Sequence, residues 1–417
     1  MSNLNVNRLK ALVLGGTDDH IALICNLKRQ GYYTILIDYY DNPPAKQVAD
    51  LHVKESILDK ERVLEIARGL DVDLVISSCI DQALVTACYV AHKLNLPAPF
   101  GFGTALAVTN KGLMKSRMVE CGIPTSKFFL VNDDLNINDC PFDFPVMVKP
   151  VDSNGSFGVK KANNMEELRQ HMRAAIEISR TDTAIVEEFV EGIEVSVDCF
   201  IQSGQAKILM MGQVFKKQVD ASTLLIYQTL FPAPISQAAK ANIQDIANKI
   251  SSHFKLDNSP LLIQTLVKGD EVNVIEFSPR IGGGSKYRTI QHFTGFDILD
   301  ASVQSFLGNQ VSVICEPSRF LYSRNHIYAD PGFFRDIVNY KELLDQGVIE
   351  EIVFFKTKGS EIGPELASRN RVGSFLVKAE TRTKVFEKVA KAVEVLDVLD
   401  IDGNSIMRKD IFSGPKV

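Results

Sequence analysis

The stretch FPVMVKPVDSNGSFGV, residues 144–159, carries one lysine at the end of an apolar run and then a polar loop with two glycines. Lys149 ends the run. Ser153, Gly155, Ser156 and Gly158 follow it, and their backbone amides can face an anion without steric conflict. This is a phosphate-holding chemistry, but not the Walker A arrangement, since no Gly-Lys-Ser/Thr follows the loop. A second segment, LLIQTLVKGDEVNVIEFSPRIGGGS (261–285), places Gln264, Glu276, Ser278 and Arg280 on two apolar runs flanking a Lys-Gly-Asp-Glu turn. A carboxylate inside an apolar run is costly unless it is paired or metal-bound. Oxygen ligands and an arginine beside glycines suit Mg²⁺ and polyphosphate. The competing reading is a buried Glu276–Arg280 salt bridge. A third segment, AIVEEFVEGIEVSVD (184–198), sets Glu187 and Glu194 on two β-like runs around Gly192, where they can receive an adenine amino group and ribose hydroxyls or simply face solvent.

The elements that must position these groups follow from periodicity. Residues 11–94 alternate short apolar runs (ALVLGG, TILIDYY, DLVISS) with helical patterns, which predicts a parallel sheet covered by helices. Residues 100–108 read as a short connection with two glycines, and a helix is expected from Thr109 to Gly122. From residue 126 to 313 the pattern becomes α+β with hairpins, and helices are expected near 164–179, 236–254 and 297–307. A third region starts near Glu316-Pro317, with strands at 351–356 and 372–380 and a helix after them.

The hairpin arithmetic is definite. A two-residue turn at Gly269-Asp270 puts Gln264 opposite 275 and turns Glu276 to the other face. An odd-length connection, or an equivalent bulge, sets Gln264 across from Glu276, which a shared metal site needs. We therefore expect an odd-length connection with both residues on one face.

The bulk numbers narrow the partners. A chain of 417 residues with net charge −5 and pI about 5.9 lacks the basic surface that nucleic acid or an anionic membrane rewards. The seven cysteines are scattered, with no zinc-type spacing, and no membrane-spanning run or signal segment is apparent. A cytoplasmic protein is expected. GGTDDH (15–20) with Asp38 hints at a dinucleotide fold, but the G-x-G-x-x-G fingerprint is absent and His20 stands where a glycine is needed.

Together the lysine before the glycine loop, the two glutamates and the Gln264–Glu276–Ser278–Arg280 set resemble the ATP-grasp superfamily of carboxylate–amine and carboxylate–thiol ligases. The resemblance covers nearly the whole chain and is nearest the biotin-carboxylase-like and amino-acid-ligase-like branch. It implies an α/β Rossmann-like domain preceding the grasp (1–108), an α+β ATP-grasp domain (109–315) with a mobile lid at about 113–186, and a small C-terminal β/α domain (316–417). It implies ATP with Mg²⁺, or Mn²⁺ in its place, and members of the family often dimerise. Residue by residue, Lys111 and Lys149 are implied as phosphate contacts, the loop from Asp152 through Ser153, Gly155, Ser156 and Gly158 as the lid over the phosphates, and Glu187 with the main chain of Phe189 and Val190 as the adenine site. Glu194 is implied for the ribose, Gln264, Glu276 and Ser278 for metal, and Arg280 for the transferring phosphoryl group. Gly282, Gly283, Gly284 and Arg288 are implied on the substrate side. The family's E-x-N-x-R appears here as Glu276-Phe-Ser278-Pro-Arg280, a departure at the second metal position. The function implied is an amino-acid or small-metabolite ligase acting through an acyl phosphate. A purine-pathway ligase and a catalytically weak nucleotide-binding protein are the alternatives.

Overall fold

The computed structural model describes residues 8–132, 139–153, 155, 157–219, 224–364 and 368–412. The chain begins as the alternation predicts: β1 (Lys10–Leu14), α1 (Asp18–Arg29), β2 (Tyr33–Asp38), β3 (Leu51–Lys54), α2 (Lys60–Leu70), β4 (Leu74–Ile76) and α3 (Asp81–Leu94). The four strands form a parallel sheet in the order β3-β2-β1-β4. The near-continuous apolar runs of β1, β2 and β4 are buried on both faces, as a helix-covered parallel sheet requires, while the edge strand β3 is partly exposed.

The segment expected to be a connection is a helix, α4 (Phe102–Thr109), followed at once by α5 (Lys111–Glu120). Gly101 stands at the N-cap and Gly103 in the first turn, so the glycines mark a helix start instead of a loop. Ala105 and Val108 are buried and fix the helix to the core. Asn110 separates the two helices. Its backbone is extended, and its side chain accepts from the Leu113 amide and caps α5.

Next comes a small four-stranded sheet, order β5-β8-β6-β7, built from β5 (Phe128–Val131), β6 (Val146–Pro150), β7 (Lys160–Ala162) and β8 (Ala184–Glu188). Helix α6 (Met165–Ile178) covers one face through Leu168, Met172 and Ala175. This unit has its own apolar core and borders the site described below.

The remaining elements are β9 (Ile193–Gln202), β10 (Gln205–Gln218), β11 (Leu224–Phe231), α7 (Gln237–His253), β12 (Ser259–Lys268), β13 (Glu271–Ser278), α8 (Lys286–Thr294), α9 (Ile298–Phe306) and β14 (Leu321–Tyr328). After them come β15 (Gly332–Val338), α10 (Tyr340–Asp345), β16 (Glu351–Phe354), β17 (Glu361–Ile362), β18 (Arg371–Ala379), α11 (Arg382–Val395) and β19 (Asp397–Asp400). One eight-stranded antiparallel sheet runs β13-β12-β9-β10-β11-β14-β18-β16, so it continues past residue 316 into the C-terminal region. Helix α8 was not expected, because RIGGGSKYR carries no helical apolar pattern long enough to see. All seven cysteines are unpaired, and among the described residues no helix is long and apolar enough to cross a membrane.

The hairpin β12–β13 corrects the loop and keeps the face. Lys268 pairs with Glu271, so the turn has two residues, not an odd number. The register then shifts between Thr265↔Val274 and Gln264↔Glu276, leaving Ile275 as a bulge. Gln264 and Glu276 thus lie directly across from one another.

Gly212 on β10 is a packing requirement of this sheet. A Cβ there would come 2.2 Å from the Phe231 ring, whose face lies 5.1 Å from the Lys286 ammonium. Gly212→Ala is expected to lower the urea midpoint by the equivalent of about 1–3 kcal/mol, the usual range for overpacking. An unchanged midpoint would show that Phe231 moves aside freely.

Candidate active site

A cleft of about 420 Å³ opens where three parts meet. Helix α5 contributes Lys111, the loop after β6 Ser153, the large sheet and the residues just after it Gln264, Glu276, Ser278 and Arg280, and the N-terminal helix α3 Asp81. Six residues expected from three separate segments therefore line one space. Lys111 reaches it because its own amide donates to the Val151 carbonyl at 2.8 Å, tying α5 to the end of β6. The Lys111 ammonium sits 3.5 Å from Glu276 Oε2 and donates to the Ser153 carbonyl.

Arg280 has a partner that the sequence did not reveal. Its Nε and Nη2 each lie 2.6 Å from the two carboxylate oxygens of Asp81, a bidentate fork. Ser278 Oγ donates to the same carboxylate at 2.6 Å. Burial alone would raise the Asp81 carboxyl, but the Arg280 guanidinium holds it below its ordinary value. The expected alternative, a Glu276–Arg280 salt bridge, is replaced by Asp81–Arg280. Asp81 opens α3 just beyond strand β4, where strand ends of an α/β sheet commonly build sites; that position was its only sequence signal.

Glu187 is also held by cations. Lys149 Nζ lies 2.9 Å from Oε1, Lys115 Nζ 3.2 Å from Oε2, and Ser126 Oγ donates to Oε2 at 2.8 Å. Glu187 is 3% exposed, and burial would favour its neutral form; Lys149 and Lys115 instead pull its pKa down to about 2. The carboxylate expected to receive an adenine amino group is thus first the anchor of two lysines. Lys115 was missed. It lies four residues after Lys111, on the same helix, and that spacing was its signal.

The other expected residues are placed as follows. Glu194 forms an ion pair with Lys216 of β10. Phe189 is exposed beyond β8, with Lys161 Nζ 4.6 Å from its ring centre, and Val190 is half-buried. Gly155 and Gly158 both adopt positive φ, 59° and 74°, as the loop reading requires. Ser156 lies outside the described residues. Asp152 holds the far side of the loop through Arg180, 3.2 Å away.

The glycine run 282–284 is fastened to the first domain. Asp19 accepts from the Gly284 and Ser285 amides, 3.0 Å each. Asp38, the hint of a ribose-binding acid, instead accepts from the Gly16 and Tyr40 amides within its own domain. His20 is buried, and burial pushes it down to about 4; Gly15 leaves room for its ring. Gly282 borders a second, shallow recess with Asp19, Ser78 and Tyr287. Gly283 lies close to Asp19. Gly284 faces His326 and Arg371, within 3.5 Å of where a Cβ would stand. Arg288, expected on the substrate side, borders neither cavity: it pairs with Glu351 at 2.8 Å.

The donor set fits one oxygen-liganded Mg²⁺. Glu276 is partly exposed to the cleft and the Gln264 amide stands opposite on the same face. Among the described residues no group of three or more His, Cys, Asp or Glu is gathered to hold an ion, so phosphate oxygens and water would complete the shell. The Ser278 hydroxyl lines the same cleft and donates its proton to Asp81.

Residues 142–288 match the ATP-grasp domain family. The chain is 26% identical over 283 residues to the formate-dependent phosphoribosylglycinamide formyltransferase of Prochlorococcus marinus strain NATL1A, covering 66% of this chain and 71% of that protein. In fold it is similar to the L-amino acid ligase of Bacillus licheniformis, with TM-score 0.78 and 19% identity over 94% of this chain and 99% of that one. The phosphoribosylglycinamide synthetase of Anaerococcus prevotii aligns over the same shares with TM-score 0.73 and 20% identity. Residues 142–288 of this chain thus carry the match to the ATP-grasp domain, and the fold around them is similar to that of these ligases.

Proposed function

We propose that this protein is a cytoplasmic ATP-dependent carboxylate–amine ligase acting on an amino acid or small metabolite. The supporting observation is the cleft itself: Lys111 approaches from the lid side and Arg280 from the sheet side, across the Gln264–Glu276 pair. A substrate carboxylate oxygen attacks the γ-phosphorus of ATP, the bond to ADP breaks, and an acyl phosphate forms. An amine nitrogen then attacks the acyl carbon, phosphate leaves and the amine loses a proton. No protein nucleophile is needed. The chain positions the reactants, neutralises developing charge through Lys111, Lys149 and Arg280, and shields the acyl phosphate from water under the lid. Gln264 and Glu276 would hold Mg²⁺, which supplies further neutralisation of phosphate charge.

The amino-acid reading rests on RIGGGSKYR and RNRVGSFLVKAE, which face each other through Gly284 and Arg371. A purine-pathway ligase is the second reading, favoured by the formyltransferase relative. A panel of amino acids, carboxylates and glycinamide- or imidazole-type ribotides, read by phosphate release from ATP, separates the two. Turnover with ribotides alone would reverse the order. Nucleotide binding with no turnover on any pair would leave a binding protein.

Lys149→Ala is expected to lower kcat/KM for ATP by about 100- to 1,000-fold, the range for one preorganised charge in a water-poor site. An unchanged value would remove Lys149 from the nucleotide site.

Arg280→Lys is expected to recover little of the activity lost in Arg280→Ala, because an ammonium cannot reproduce the two-pronged contact. Asp81→Ala strands the buried guanidinium and is expected to cost about 3–5 kcal/mol in chemical denaturation. Near-normal kinetics in both Arg280 variants would make Asp81–Arg280 a purely structural pair.

A further inference from the structure

Lys115 is 1% exposed, and its surroundings contain more positive charge than they balance. Its ammonium donates to Thr125 Oγ1 at 2.6 Å and to Ser126 Oγ at 2.9 Å, and lies 3.2 Å from Glu187. Lys149 lies on the other oxygen of that same carboxylate. Two ammonium groups therefore share one negative charge out of contact with water. The next acid is Glu276 of β13, and it already faces Lys111, one turn before Lys115 on α5. Facing Lys115 are thus Glu187 from β8, Lys149 from β6, the Thr125 and Ser126 hydroxyls, and the more distant Glu276. A buried cluster with net charge +1 is unfavourable alone and is completed by an anion.

We propose that Lys115 is a further positioning residue of the nucleotide site: by sharing Glu187 it leaves the Lys149 ammonium incompletely neutralised and available to phosphate, so nucleotide binding requires Lys115 to be protonated. The inference rests on the nucleotide-binding reading above. Its physical handle is that burial, against the pull of Glu187, brings Lys115 down to about 8. Below that pH the ammonium is present with or without ligand, and affinity is insensitive to this group. Above it the free protein has lost the proton, so binding must draw one from solvent and affinity falls by up to about tenfold per pH unit.

The test is titration calorimetry of the full chain with ADP, whose phosphates are already ionised in this range, in buffers of different protonation enthalpy. Wild type is expected to take up no proton well below pH 8 and between a half and one proton above it. Lys115→Arg, whose guanidinium does not titrate here, is expected to bind ADP without uptake. Lys115→Met is expected to bind weakly, again without uptake. ADP binding by wild type with no uptake above pH 8, or uptake that persists in Lys115→Arg, overturns the proposal while leaving the nucleotide site intact. Failure of wild type to bind ADP at all overturns the nucleotide reading, and this inference with it. The wild-type measurement stands even if Lys115→Met does not fold.

Discussion

An extra residue in one strand determines what the cleft can hold. Side chains along a strand alternate between faces, so a register one residue away would turn Glu276 from the cleft to the helices beneath the sheet. The two-residue turn at Gly269-Asp270 starts β13 in that unfavourable register, and the bulge at Ile275 reverses it. Downstream of the bulge, Glu276 and Ser278 face the cleft and Arg280 follows them into it. The face that positions an oxygen pair toward Lys111 depends on that one unpaired residue, and bulges of this kind recur next to sites where a side chain must be re-aimed.

The second constraint is charge taken out of water. Glu187, Lys115 and Asp198 are buried and Arg280 is mostly so, and each has an ionic partner. Pairs of this type add little net stability but penalise any arrangement that separates them. They also join parts of the chain distant in sequence. Asp81 joins the parallel domain to the large sheet, Asp19 joins it to the glycine run, and Glu187 joins the lid to α5. Thr125 adds a hydrogen bond to the Val274 carbonyl, next to the bulge. The cleft walls are thus held by cross-links between units rather than by contacts within any one of them.

This division explains what the sequence made legible. Periodicity located the parallel strands, the hairpin and helices α6, α7, α9 and α11, because each has a full apolar stripe or run. It missed α4, whose two glycines look like a turn, and α8, which follows three glycines without a stripe of its own. Lys149, Glu276 and Arg280 were visible because residue type and setting conflict: a carboxylate inside an apolar strand, an arginine beside glycines, and a lysine beside a glycine-bearing loop; Lys111 and Gln264 came through the family resemblance alone. Asp81 and Asp19 were not, because an acid in the first turn of a helix is ordinary and its long-range partner leaves no local trace. Ile275 looks like any other apolar strand residue, so the bulge could be deduced only as an alternative to an odd loop. The partner of Arg288 was hidden for the same reason: Glu351 lies 63 residues away.

The continuity of the large sheet bears on the order in which the chain leaves the ribosome. Strand β11 is complete at residue 231, but its outer neighbour β14 begins at Leu321, and that strand in turn waits for β18, which ends at Ala379. While the intervening residues are being made, an unpaired edge of the sheet is exposed to other chains. The parallel domain, by contrast, has all four strands in hand by Ile76 and needs nothing later to close its sheet. Synthesis therefore delivers one finished body early and keeps the other open until Ala379 has emerged, which makes the nascent chain, more than the finished protein, the form in need of protection from aggregation.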